Sequence, residues 1–278
     1  MKQFICIMLF ITGFVCKANA EETIEFLPAK NLFNAPIADP RWPKFLMGIS
    51  KDSKNGFGKN LWTFNFGENI GLIKFGSTEK PFEFGVQAAS FGLMDIHSKP
   101  TKLINTDYFV AAGISYRNGN FQHLFQLSHV SSHIGDEYLL STEGQRIERI
   151  NLSYETAKWF LRYKNSSSFS PYTQIGYILH VDPSTVKRLT LAAGIDYLSD
   201  KIIFLDATKF IAGGFISSWE ENKFQPTINI RAGLQYERTK YCGRYLQLLV
   251  EYKTGKSQHG QFYRRNINHI GLLVTFSS

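Results

Sequence analysis

Pro226-Thr227-Ile228-Asn229-Ile230-Arg231-Ala232-Gly233-Leu234-Gln235-Tyr236 alternates without a break: the even positions are apolar and the odd ones polar or small. Side chains of an extended strand point to opposite faces in turn, so this segment is a strand with one oily and one wet face. Arg188 to Tyr197 does the same, with Leu189, Leu191, Ala193, Ile195 and Tyr197 on one side. The end of the chain repeats it with Ile270, Leu272, Val274 and Phe276. Working outward, segments of about ten residues rich in aromatic and β-branched types recur from Phe45 onward, between Gly, Asn, Ser and Pro clusters. Twelve such strands centre near Met47, Phe66, Ala88, Gly113, Leu127, Ser153, Gly176, Gly194, Leu205, Arg231, Leu248 and Leu273.

A soluble sandwich shows the same period. The tyrosines and phenylalanines near strand ends, the even strand number and the alternation of short and long connections favour a membrane cylinder. The fold expected is all-β, an antiparallel up-and-down transmembrane β-barrel of about twelve strands over residues 44–278. With the amino terminus in the periplasm, the turns at Asn118-Gly119-Asn120, Ser166, Ser199-Asp200 and Thr239 face inward. The longer, more charged connections near Asn55, His97, Ser141, Trp219 and Gln258 then face outward.

Residues 1–20 read as a secretory signal peptide: Lys2, an apolar run from Phe4 to Val15, and a small-residue cleavage site at Ala18-Asn19-Ala20. That implies export, and together with the barrel expectation it points to the bacterial outer membrane after signal removal. Residues 21–43, with Pro28, Pro36, Pro40 and Pro43 and no sustained period, read as a periplasmic arm. Of the three cysteines, Cys6 and Cys16 lie in the signal, so Cys242 has no partner for an intramolecular disulfide. The formal net charge of +8 is spread among loops rather than clustered, which argues against nucleic acid as a partner.

Chemistry concentrates in Leu127-Ser128-His129-Val130-Ser131-Ser132-His133-Ile134-Gly135-Asp136-Glu137. On a strand, His129, Ser131 and His133 share a face with Phe121, Phe125 and Leu127; if that apolar face points to lipid, an imidazole base and a serine nucleophile meet the outer leaflet, and if it points inward they meet the lumen. Ser132 and His133 are secondary candidates for the same roles. An acid that orients the base is available in Glu143, Glu137 or Asp136, and Asp136 with Glu137 offers carboxylates to a calcium ion; no other cofactor is implied. Arg149, Asn151, Ser153 and Glu155 are expected to alternate inward and line the lumen. Arg264 and Arg265 in the last outer loop suit lipid phosphates. There is no Gly-x-Ser-x-Gly elbow, phosphate-binding glycine loop or paired-cysteine zinc spacing.

Three blocks, Ala38-Asp39-Pro40-Arg41, Leu103-Ile104-Asn105-Thr106-Asp107-Tyr108 and Ser131-Ser132-His133-Ile134-Gly135-Asp136-Glu137, resemble the signatures of an uncharacterised family of bacterial exported proteins. The resemblance implies an outer-membrane barrel and no particular activity. His129-Val130-Ser131 is similar to the His-x-Ser strand motif of outer-membrane phospholipase A and the lipid A deacylases. That resemblance implies Ser131 as acylated nucleophile, His129 as base and Glu143 as the orienting group on the returning strand. The phospholipase pattern continues Ser-Asn-Gly, whereas Ser132 and His133 stand here. Two functions follow as expectations: a lipid acyl hydrolase acting on outer-membrane lipid or lipopolysaccharide, or a non-catalytic barrel that is structural or passes a small solute. The barrel-assembly machinery is the expected folding partner, although the last aromatic, Phe276, stops two residues short of the end.

Overall fold

The computed structural model describes residues 23–53, 57, 60–141, 149–150, 152–165, 167–202, 207–241 and 244–277. The signal-peptide expectation, Cys242, Glu143 and Asn151 lie outside the described residues. The alternating segments form strands β2 (Phe45–Asp52), β3 (Asn60–Gly76), β4 (Pro81–Asp95), β5 (Lys102–Asn118), β6 (Phe121–Ile134) and β7 (Ser153–Tyr163). They continue as β8 (Phe169–Asp182), β9 (Leu189–Ile202), β10 (Thr208–Trp219), β11 (Thr227–Tyr241), β12 (Arg244–Lys256) and β13 (Asn266–Ser277). Each pairs antiparallel with its sequence neighbour, and β13 pairs with β2, from His269 opposite Asp52 to Phe276 opposite Phe45. That last pairing closes a twelve-stranded up-and-down barrel with no free edge through the membrane-spanning part. The strand expected near Leu205 runs from Thr208 to Trp219. A thirteenth strand, β1 (Thr23–Phe26), adds to the lower half of β3, Thr23 opposite Gly76.

The oily faces look outward. Phe125, Leu127, Ile175, Ile195, Ile230, Leu248, Ile270 and Leu272 are all exposed large apolar residues, which in water would be a severe liability and in a bilayer is a requirement. Their lower ends carry an aromatic girdle in which Phe45 meets Phe66 and Phe276, Phe82 meets Phe75 and Tyr116, and Phe121 meets Tyr163. His123 stacks between Tyr116 and Trp159 in the same belt.

Residues 28–43 are not a periplasmic arm: they run up the barrel lumen. Four prolines and an irregular backbone leave main-chain groups that a buried segment must satisfy elsewhere, and inward-pointing side chains of the wall do so. Glu83 accepts from Leu32 N–H at 2.9 Å and Asp196 from Ile37 N–H at 3.0 Å. Asn229 donates to the Ala38 carbonyl at 2.7 Å, Arg231 to the Ile37 carbonyl at 2.9 Å, and Asn65 to the Trp42 carbonyl at 2.8 Å. Apolar side chains of the segment fill the space between. Phe33 and Trp42 pack with Leu124 and Phe160, and Ile37 packs against Leu46, Ile211, Leu249 and Leu273. Buried ion pairs Arg162–Asp196 and Arg231–Glu251, each at 2.8 Å, tie the wall beside it.

The wall has to stay bare where the segment passes closest. A Cβ on Gly213 would sit 3.0 Å from Ile37 Cβ and 3.1 Å from Ala38 Cβ. Gly213→Val is therefore expected to destabilise the folded barrel by about 1–3 kcal/mol through overpacking. A lower urea midpoint with unchanged slope in micelles is the expected reading; an unchanged midpoint would mean that the segment does not pack there.

Candidate active site at the outer rim

β6, β7 and β8 lie side by side, and their register brings a polar cluster together on the outward surface. Val110 of β5 faces His129, His129 faces Glu155, and Glu155 faces His180. One step toward the outer end, Tyr108, Ser131, Ser153 and Asp182 form the next row. Ser131 is ten residues beyond Phe121 in the lower girdle. At about 3.3 Å per residue and a tilt of about 40°, that is about 25 Å of height, the thickness of the apolar band. The cluster thus sits at the lipid–water boundary opposite that girdle, where a carboxylate on the lipid face costs at most about 1 kcal/mol.

Within it, the Glu155 carboxylate accepts from His129 Nδ1 at 2.7 Å and from His180 Nδ1 at 2.9 Å. A carboxylate only accepts, so His129 carries a proton on Nδ1, and Nε2 is the ring nitrogen turned away from the acid. Ser131 Oγ lies 3.0 Å from Nε2 of His133, whose ring stands edge-on to Tyr108 at 5.6 Å. Ser131 is thus flanked on one strand face by two imidazoles, one contacting it and the other locked by an acid.

The expected lumen-lining set needs correction. Ser153 and Glu155 point outward, because β7 turns Tyr154, Thr156, Lys158, Phe160 and Arg162 toward the lumen, in register with Val130, Ser128, Gln126, Leu124 and Gln122 of β6. Arg149 is exposed in the stretch before β7 and lines no lumen. Ser132 faces the interior, with its hydroxyl on Asp107 Oδ1 at 2.5 Å, so it is not a second nucleophile at the rim. Asp136 and Glu137 open a one-turn helix, Asp136–Leu139, and both are exposed. Calcium takes six to eight oxygens. Among the described residues no group of three or more His, Cys, Asp or Glu is arranged around a metal position.

Behind the rim, the three blocks converge. Asp107 is fully buried and accepts from Arg41 at 2.7 Å, Asn105 at 2.8 Å, Ser132 at 2.5 Å and the Gly260 N–H at 3.1 Å. Gly260 belongs to the last outer loop, which folds down into the barrel mouth; a Cβ there would come within 2.6 Å of Ser132 Oγ. Burial holds the neighbouring His259 imidazole down to about 3, so it stays neutral and Arg41 is the counter-charge to Asp107. Asp107 thus pins the luminal segment, the inner face of β6 and the outer loop together, directly beneath Ser131.

The sequence over residues 10–277 matches a family described as "Protein of unknown function (DUF1207)". The chain belongs to this family. A search of curated proteins finds no match for this DUF1207 chain. Among solved structures, it is similar to the Salmonella typhi outer membrane phospholipase dimer with bound calcium, at 13% identity and a TM-score of 0.57, covering 88% of this chain and 93% of that one. It is also similar to outer membrane phospholipase A from Escherichia coli, at 13% identity and a TM-score of 0.57, covering 88% and 98%. At that identity the likeness is one of fold: the DUF1207 barrel has the architecture of outer-membrane proteins.

Proposed function

We propose that this barrel is a serine lipid acyl hydrolase of the bacterial outer membrane, acting on an ester-linked acyl chain of phospholipid or lipopolysaccharide in the outer leaflet. The observation that carries the reading is the 2.7 Å contact between His129 Nδ1 and Glu155, beside Ser131 on a lipid-facing surface. Glu155 takes the orienting role expected of Glu143.

Ser131 is the nucleophile and His129 the base, because of the two flanking imidazoles His129 is the one whose cationic form has a carboxylate to stabilise it. Rotation about the Ser131 Cα–Cβ bond exchanges the resting contact with His133 for one with His129, between staggered positions. The Oγ proton passes to His129 Nε2 as Oγ bonds the ester carbonyl carbon. Collapse of the tetrahedral adduct breaks the ester C–O bond, and the leaving alcohol takes the proton from His129. Water then enters by the mirror-image steps, releasing free fatty acid and restoring Ser131.

A long-chain alkyl sulfonyl fluoride tests the nucleophile. Micellar protein is expected to gain one sulfonyl adduct as the S–F bond of the reagent breaks and fluoride is released, with the adduct mapped by mass spectrometry to Ser131 and absent in Glu155→Ala. An adduct on another residue, or none while the barrel is folded, contradicts the assignment.

A further inference from the structure

Inside the barrel, between the luminal segment and the outer loops, is a cavity of about 180 Å³, more than the roughly 150 Å³ that holds a benzene. Tyr154, Phe160, Trp219 and Tyr263 are among the aromatic groups lining it. Into this apolar space the β7 strand projects Lys158, and no carboxylate among the described residues lies within ion-pair distance of its ammonium. Asp39, the acid nearest in effect, is engaged by Gln174 at 3.1 Å and by the Arg41 N–H at 2.8 Å. Two buried neighbours in the lining, Thr156 and Gln126, keep Oγ1 and Oε1 without a protein partner. Gly176, opposite Lys158 in register, leaves the room: a Cβ there would meet Lys158 Cγ at 3.1 Å and Thr156 Cγ2 at 3.4 Å.

Arg41, Lys256 and Asp39 also border the cavity, but Arg41 is held by Asp107, Lys256 Nζ by the Arg264 carbonyl and Asp39 by Gln174 and the Arg41 N–H. An aromatic-walled chamber in which the Lys158 ammonium and the Thr156 hydroxyl are still to be matched suits a small molecule with a flat oily body and one anionic end. We propose that the cavity is a binding site for a small aromatic carboxylate, with the ring between the aromatic walls and the carboxylate on Lys158 Nζ and Thr156 Oγ1. The site is separate from Ser131, which stands on the opposite face of the wall, and does not depend on the hydrolase reading.

Fluorine NMR titration of the whole protein in micelles with 4-fluorobenzoate, and with neutral 4-fluorobenzyl alcohol for comparison, tests it. Wild-type protein is expected to bind the carboxylate at least about tenfold more tightly than the alcohol, the worth of one charge-assisted contact. Lys158→Met should erase that preference and Lys158→Arg keep it. Val130→Phe, which fills the lining without touching the charge, should abolish binding of both. No binding of 4-fluorobenzoate, equal affinity for acid and alcohol in the wild type, a preference surviving in Lys158→Met, or binding surviving in Val130→Phe overturns the proposal. Should Lys158→Met fail to fold, the wild-type preference and the Val130→Phe result decide.

Discussion

His129→Ala is expected to lower fatty-acid release by about 10⁴- to 10⁶-fold, the cost of removing the base from a serine triad, while His133→Ala lowers it less than about tenfold. The contrast follows from what each imidazole can do once it holds the serine proton. His129 becomes an imidazolium 2.7 Å from a carboxylate. His133 is the imidazole in contact with the resting hydroxyl, at 3.0 Å, yet its ring stands against Tyr108 and, among the described residues, no acid hydrogen-bonds to it. A factor of 10⁴ corresponds to about 5.5 kcal/mol of transition-state stabilisation, far more than a resting hydrogen bond supplies. Rates of purified variants on mixed phospholipid micelles check it, and the opposite ranking would make His133 the base. Glu155→Gln belongs to the same series. It keeps the contact but removes the charge, and should cost about 10³- to 10⁴-fold, nearer the effect of losing a triad acid than of losing the base.

The second large effect is on stability. Asp107→Asn should destabilise the barrel by about 2–4 kcal/mol, because it leaves the partly buried Arg41 guanidinium without its counter-charge. Arg41→Met should cost a similar amount by stranding Asp107, which among the described residues keeps Asn105, Ser132 and the Gly260 N–H as partners. With both changes made, the residual buried charge is gone, so the double variant is expected to be more stable than the sum of the single losses by at least about 1 kcal/mol. Urea titrations followed by tryptophan fluorescence suit the test, since Trp42 sits in the luminal segment next to Arg41. Strict additivity would show that the segment and the wall are not coupled through this pair.

The strands and their oily faces were legible because a barrel wall repeats one simple pattern: lipid outside demands apolar residues at every second position, as in Ile228, Ile230, Ala232 and Leu234. The luminal segment was not. Phe33, Ile37 and Trp42 have no period, because an irregular backbone between prolines meets a different part of the wall with each side chain. The phase of β7 was misread for an instructive reason. Its lower half, Ala157, Trp159, Leu161 and Tyr163, marks the odd positions as outward, and the same parity carries Ser153 and Glu155 outward too. Polarity suggested the reverse, since a polar residue on a barrel strand ordinarily faces the lumen; at the rim, where the wall leaves the apolar band, that rule lapses. The pairing of Glu155 with His129 was hidden for a related cause, as the register between β6 and β7 is set by three-dimensional packing across a long connection rather than by a tight turn. The convergence of Arg41, Asn105, Asp107 and Ser132 was visible only as three separate blocks.

The most direct measurement is fatty-acid release from phospholipid by purified, heat-modifiable wild-type barrel in mixed micelles, set beside Ser131→Ala prepared in the same way. The hydrolase account predicts steady release by the wild type and a fall to the level of empty micelles in the variant. Release that is equal in the two, or none from a folded wild type on phospholipid and lipopolysaccharide alike, would contradict it.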